Sequence, residues 1–449
     1  MEATAKLADF VLGARFESVP PGALKTAKEA MMDCLGCIFV GAVQPVGVLI
    51  TGYVRDVGAR PVSVVIGQGL RTSPALAALA NGVMAHAEDY DDISLAVLGH
   101  PTAPLFPAIL ALAEHRGASG RELVEAYVIG FEVAARIGMT LGVSHYNRGW
   151  HGTATTGTIA AAAAGARLLR LNEQQVRMAM AVAASQTSGL RQNFGTMTKP
   201  FHPGNAARSG VTAALLAERG FTADLNIIEA PLGFLNVYRG EELQPLEKIT
   251  EGLGETFEIV KSGIAFKPYP SCGETHTGIE IIIDLMKENQ FLPAEVKSIE
   301  CVFNETMNSV MLHHNPKTGL EGKFSIEYCV ARALLDGRVK LEDFTDERVN
   351  QPEVRDMIKK IKVRIDSSLP MMATLINVEM TGGRVLSKRL DRSRGWPENP
   401  LGHAELVAKY KDCAALVLSP AGVEKTLEMM ENLEELKNVA QLADVIVKV

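Results

Sequence analysis

The hydrophobic pattern of this chain changes period partway along and later changes back, and that decides the architecture. From residue 1 to about 263 the apolar residues recur at helical spacing. Residues 297–303, 361–365 and 375–380 then alternate between apolar and polar, the period of a half-buried strand. Thr381-Gly382-Gly383-Arg384 reads as a hairpin turn into a further strand at 385–390. Helices are predicted between these strands at about 274–288 and 324–335, the latter stopped by Gly337. From His403 the helical pattern returns, and Ser419-Pro420 starts a new helix. Such a chain is expected to be mainly α. A large all-helical domain, residues 1–264 and 401–449, is interrupted by a smaller inserted α+β lid domain, residues 265–400.

Punctuation inside the helical part places its polar residues. Ser73-Pro74 starts a helix predicted to run to about residue 88, which sets His86 and Asp89 three apart on one face. Pro101 and Pro104 open the next, at 103–115, closed by Gly117. Ser119 and Glu122 form a capping box for a helix to about residue 138. Residues 155–169 are rich in Ala and Gly, which lets helices approach closely and predicts a central, buried helix. Asn172 with Gln175 caps another. Residues 189–204 read as a polar loop, followed by a helix at 205–219. Residues 62–68 read as an extended link.

Composition excludes several functions. A formal net charge of -7 leaves no basic footprint for nucleic acid, so an anionic ligand needs a local cluster of Lys and His. Six cysteines without framework spacing point to a reducing compartment, and Cys34 and Cys37 lie inside an apolar helical run with no second pair to complete a zinc site. The start of the chain lacks the continuous apolar core of a signal peptide. No run reaches the ~18 apolar residues of a membrane span. A cytoplasmic protein without a membrane partner is expected. There is neither a G-x-G-x-x-G dinucleotide fingerprint nor a G-x-S-x-G nucleophile elbow.

Chemistry concentrates in a few places. His86-Ala-Glu-Asp-Tyr-Asp-Asp92, running on to Gly99-His-Pro101, sets two histidines and four carboxylates between two apolar runs. Buried charge of this density is costly unless paired or used. A metal held by His86, Asp89, Asp91 and Asp92 is one reading. Against it, the repeated Glu-x-x-His partner of carboxylate-bridged sites is missing, and no metal is expected. Asp89, His100, His151, Lys199 and Lys267 all lie beside Gly or Pro breaks or helix ends. Lys267 lies where the helical part hands over to the α+β part, and clefts between domains are preferred ligand sites.

The motifs together resemble the MmgE/PrpD family. They are His86–Asp92, Gly99-His-Pro101, Gly149-Trp-His-Gly-Thr153, Asn193-Phe-Gly-Thr-Met-Thr-Lys199, Lys267-Pro-Tyr-Pro270 and Lys323-Phe-Ser-Ile-Glu-Tyr328, in order over nearly the whole chain. The resemblance implies a homodimer, a site between the two domains, no metal and no organic cofactor. It carries catalytic roles onto Asp89, His100, His151, Lys199 and Lys267. Tyr146, Ser94, Gln192 and His276 complete the expected substrate-binding set. Two departures stand out. Decarboxylating members have a Thr where Ile93 or Ser94 falls here, and a Tyr where Val310 falls, with His313 or His314 expected to fill that space.

The family's reactions make or quench a carbanion beside a carboxylate, so donors must be aimed at the carboxylate oxygens. Lys199 and Lys267 suit that role. His100 and His151 are expected to exchange protons, with Asp89 orienting one of them. The departures rank a cofactor-independent lyase first, dehydrating a di- or tricarboxylate as a 2-methylcitrate dehydratase does. Epimerisation of a substituted dicarboxylate, with Tyr146 as opposite-face acid, comes second, and decarboxylation of the cis-aconitate type third.

Overall fold

A computed structural model describes residues 2–241 and 244–447. The chain builds two main hydrophobic cores. The first draws its buried residues from 3–266 and again from 406–446, and the second from 279–386.

Helices Pro74–Ala85, Gly152–Leu168 and Thr198–Glu218 form the centre of the first core. Their small residues make this possible. A Cβ on Gly82 would lie 2.7 Å from the Gly204 Cα, and one on Gly210 would lie 2.4 Å from the Ala161 Cβ. The two interfaces therefore close only without side chains at these positions. Every residue of Gly152–Leu168 except Arg167 is buried, as its alanine content predicts. Helices Thr102–Arg116 and Gly120–Asn147 pack around this centre, and His403–Ala414 returns to pack on Pro21–Ala42.

In the second core, Val296–Phe303 pairs in parallel with Ile361–Ile365 and antiparallel with Thr374–Met380, which pairs antiparallel with Val385–Leu390. Thr374–Met380 alternates between fully and partly buried positions along its length, the period expected of it. Helix Gly273–Asn289 packs on the last two strands and against Ile326–Asp336.

Several boundaries differ from expectation. The helix begun at Pro74 ends at Ala85, not 88, and the helix begun after the capping box runs on to Asn147 across a break at Gly142 (φ 68°). The expected loop at 189–204 becomes helix from Thr198, because Lys199 and His202 find buried partners there. Residues 1–263 are not helical throughout. Ser63–Val65 and Leu70–Thr72 form a small hairpin where a link was expected, since Asn81 ties its backbone through Ile66 and Val64. Helix Gly120–Asn147 is long and apolar enough to cross a membrane, contrary to the expectation that no segment is. Its most apolar stretch is 83% buried within the fold, which suits a core helix.

Candidate active site

Where helix Pro74–Ala85 stops, the chain turns sharply. Asp89 adopts φ 52°, a left-handed conformation that Asp tolerates better than most side chains. His86 and Asp89 therefore do not share a helical face. The turn brings the Asp89 carboxylate onto two lysines from distant segments. Lys199 Nζ, in the first turn of Thr198–Glu218, donates to Asp89 Oδ1 at 2.8 Å. Lys267 Nζ donates to the same oxygen at 2.9 Å and to the Asp89 carbonyl at 2.8 Å. Burial alone would raise the carboxyl's pKa, but Lys199 and Lys267 together hold it well below the usual range. Burial would lower Lys267 and Asp89 reverses this, raising it. Asp89 Oδ2 is buried without a hydrogen-bond partner among the described residues.

Four imidazoles stand around this group. Lys199 Nζ lies 2.7 Å from His86 Nε2. An ammonium cannot accept, so His86 Nε2 accepts and its proton sits on Nδ1, which donates to Asp91 at 2.9 Å. His86 is thus neutral, and burial pushes its pKa down to about 3. His100 Nε2 lies 3.5 Å from Asp89 Oδ1, and its Nδ1 lies 3.2 Å from Asp91 Oδ2. His151 Nδ1 faces His202 Nδ1 at 3.0 Å. One ring must donate and the other accept, so at least one is neutral. Burial lowers both, His151 well below its ordinary value and His202 to about 4.

These groups border a cavity of about 90 Å³ at the seam between the two main cores. Of the expected residues, Asp89, His100, His151, Lys199, Lys267, Ser94 and Tyr146 line it. Gln192 does not: it is exposed on the surface beyond Arg191. His276 does not either. It is buried, with Nε2 donating to the Ser271 carbonyl at 3.1 Å and its ring against Tyr269. The space opposite Val310 is not taken by His313 or His314. His313 donates to the Phe194 carbonyl, and His314 pairs with Glu327.

Other residues escaped the sequence reading because their partners lie far away in the chain. His202 is one. Lys323 holds the Glu88 carbonyl at 2.9 Å, the Pro270 carbonyl at 2.8 Å and the Glu88 carboxylate at 2.8 Å, clamping the Asp89 turn to the segment that carries Lys267. Lys409 supports the same turn from below, 2.7 Å from the Tyr90 carbonyl and 2.7 Å from Asp33 Oδ1. Asp92 is drawn away to the Thr102 backbone and hydroxyl, and burial raises its pKa well above the ordinary value.

The metal reading changes membership. His86, Asp89, Asp91 and His100, not Asp92, bring one donor atom each to within 4.8 Å of one another. Two ammonium groups already neutralise the Asp89 oxygen, and His86 Nε2 accepts from one of them. A divalent ion would have to displace those lysines, so the donor set fits a cation poorly.

Comparison with known proteins follows the same seam. A profile of the MmgE/PrpD N-terminal domain matches residues 5–246, and one of the MmgE/PrpD C-terminal domain matches residues 269–435. The chain belongs to the MmgE/PrpD family. Its relatives there include cis-aconitate decarboxylase of Homo sapiens, 27% identical over 98% of this chain and 93% of that protein. The cis-aconitate decarboxylase of Aspergillus terreus is 26% identical over 99% and 95%. The 2-methylcitrate dehydratase of Salmonella typhimurium is 24% identical over 90% and 88%. These relatives are lyases, and the decarboxylases match more of the chain than the dehydratase does. Within this MmgE/PrpD chain, Ile93, Ser94 and Val310, the positions of departure, all border the cavity.

Proposed function

We propose that the chain is a lyase that removes water from a small hydroxylated carboxylic acid, with Asp89, His100, His151, Lys199 and Lys267 as its working residues. The observation that carries this reading is the Asp89 carboxylate. One oxygen takes two lysines, and the other is buried, unpartnered and beside the cavity. A buried acceptor without a partner costs about 1–3 kcal/mol, which a substrate hydroxyl would recover. Lys199 and Lys267 supply the positive charge on which a substrate carboxylate builds up charge as the neighbouring C–H is broken.

Two imidazoles then divide the proton work. His100 and His151 both border the cavity, with ring centres 6.4 Å apart, so each can reach a substrate held there. With His151 Nδ1–H donating to His202 Nδ1, the bare Nε2 of His151 is the nitrogen available to take a proton. His100, beside Asp89, delivers one to the departing hydroxyl. General acid–base steps of this kind contribute about 10²–10⁴-fold each. No step is routed through a metal or organic cofactor. The reading also includes a homodimer and, since all six cysteines are free and buried, a cytoplasmic location.

Decarboxylation is the second reading, supported by the wider coverage of the decarboxylase relatives. Epimerisation would use the same imidazole pair. Proton NMR of candidate acids in deuterated water separates all three. Dehydration yields an alkene signal with release of water, decarboxylation loses a carbon, and epimerisation incorporates deuterium alone. Alkene formation from a hydroxy acid, unaffected by a chelator, is expected. Carbon loss as the sole change would replace the first reading with the second.

A further inference from the structure

The cations bordering the cavity are gathered at one place, around Asp89. They are Lys199 and Lys267, both already shared with Asp89, and no arginine borders the cavity. Arg191 lies nearby but spends its guanidinium on the Tyr146 carbonyl and Ser309, flat over the Tyr146 ring at 3.9 Å. An acid, Glu274, also borders the cavity and accepts from the Cys272 thiol at 2.8 Å.

Apart from the hydroxyls of Ser94, Tyr146 and Thr306, the rest of the wall is mainly hydrocarbon. Two small apolar clusters, separate from both main cores, meet the cavity. One joins Phe194, Cys272, Val310 and Phe324. The other joins Ala265, Met372 and Trp396, with Ile93 and Met371 against it. The backbone adds an independent sign. Among the described residues five other than glycine have positive φ, and three of them, Asp89, Leu98 and Met372, border this cavity. Glycine would relieve the strain at Leu98 (φ 60°) and Met372 (φ 74°). Strained positions that keep a large side chain are found where the side chain is used.

We infer that the substrate is a carboxylic acid with its charge gathered at one end and a compact apolar arm at the other, not a tricarboxylate. The carboxylate and the adjacent reacting carbon lie at Lys199, Lys267 and the imidazoles. The arm lies between the two apolar clusters, against Val310, Met371, Met372 and Trp396. A third carboxylate would find there at most the hydroxyls of Ser94, Tyr146 and Thr306, losing its hydration without gaining a cation.

This inference rests on the proposed lyase reading, and one binding series tests the two separately. Dissociation constants are measured by calorimetry for succinate, its 2-methyl, 2-ethyl and 2-propyl derivatives, and the tricarboxylates tricarballylate and cis-aconitate. The wild type, Lys199→Ala and Val310→Ser are compared. The expected result is tighter binding by up to about fourfold for each added methylene until the arm fills its space, with both tricarboxylates weaker than 2-ethylsuccinate. Lys199→Ala is expected to weaken the whole series, and Val310→Ser to shrink the gain per methylene. If tricarboxylates bind tightest and alkyl arms add nothing, while Lys199→Ala still weakens binding, the apolar arm is wrong and the carboxylate site stands. If no member binds, or Lys199→Ala changes none of them, both readings fall.

Discussion

At Asp89 a single oxygen accepts from Lys199 and Lys267, and the paired charges make a buried cluster tolerable in a protein interior. The Lys199 ammonium also explains why His86 is neutral: it reaches His86 Nε2 as well as Asp89, so the ring can only accept there. His86 thus fixes Lys199 and leaves proton transfer to His100 and His151. His202 settles which nitrogen of His151 is free, because the 3.0 Å contact uses Nδ1 of both rings. Replacing His202 by Leu removes that partner and is expected to lower kcat by about 10–100-fold with little change in KM, the scale seen when a supporting hydrogen bond to a working histidine is lost. His202→Asn, whose amide can stand in for Nδ1, is expected to restore most of the rate. Steady-state kinetics of the two variants checks this, and equal losses in both would show that shape, not the hydrogen bond, is what His202 supplies.

The turn between helices Pro74–Ala85 and Thr102–Arg116 is the element on which the site depends, and it is held from two sides. Lys323 ties it to the segment carrying Lys267, and Lys409 ties Tyr90 to Asp33 on helix Pro21–Ala42. Lys409→Met strands Asp33 in a buried position without its counter-charge. A loss of about 3–5 kcal/mol in urea unfolding is expected, and an unchanged midpoint would contradict the clamp. A pH effect belongs to helix Gly273–Asn289. Burial lowers His276 to about 3 from 6.5, so its ring stays neutral in the fold while the unfolded chain takes up a proton. Its contribution is full above pH 6.5 and is lost as pH falls toward 3. Between pH 8 and pH 5 that loss is about 2 kcal/mol, so His276→Gln should show a shallower fall in stability on acidification than the wild type, read from urea midpoints at both pH values. A parallel fall would place the titration elsewhere. The turn itself was only half legible in the sequence. Its chemistry was plain from the density of His and Asp, but spacing put His86 and Asp89 on one helical face, and nothing in the local sequence signals the left-handed Asp89 that separates them. The same limit applied to Lys199, read as loop because its helix begins at Thr198 only through contacts with His86 and Asp89 more than a hundred residues away.

Over the whole molecule, period carried most of the information. The switch from helical to alternating spacing marks the passage from the first core to the second, and the small residues of 155–169 marked the centre of the first. What period could not convey was depth. Gln192 directly precedes a motif of working residues yet is exposed, and His276 follows the Lys267 motif yet is buried in the second core's helix, away from the cavity. Both were placed by neighbourhood in sequence, whereas the site is assembled from segments about 180 residues apart that meet at the seam, as the 178-residue separation of Asp89 and Lys267 shows. Function at that seam is the central claim. The most direct test takes the hydroxy acid that forms an alkene in deuterated water and compares turnover by the wild type and Asp89→Asn, with circular dichroism to confirm the fold. Asn keeps the left-handed turn but removes the charge shared by the two lysines. A fall in kcat of about 10²–10³-fold is predicted; turnover within a few-fold of wild type in a folded Asp89→Asn protein would contradict the account.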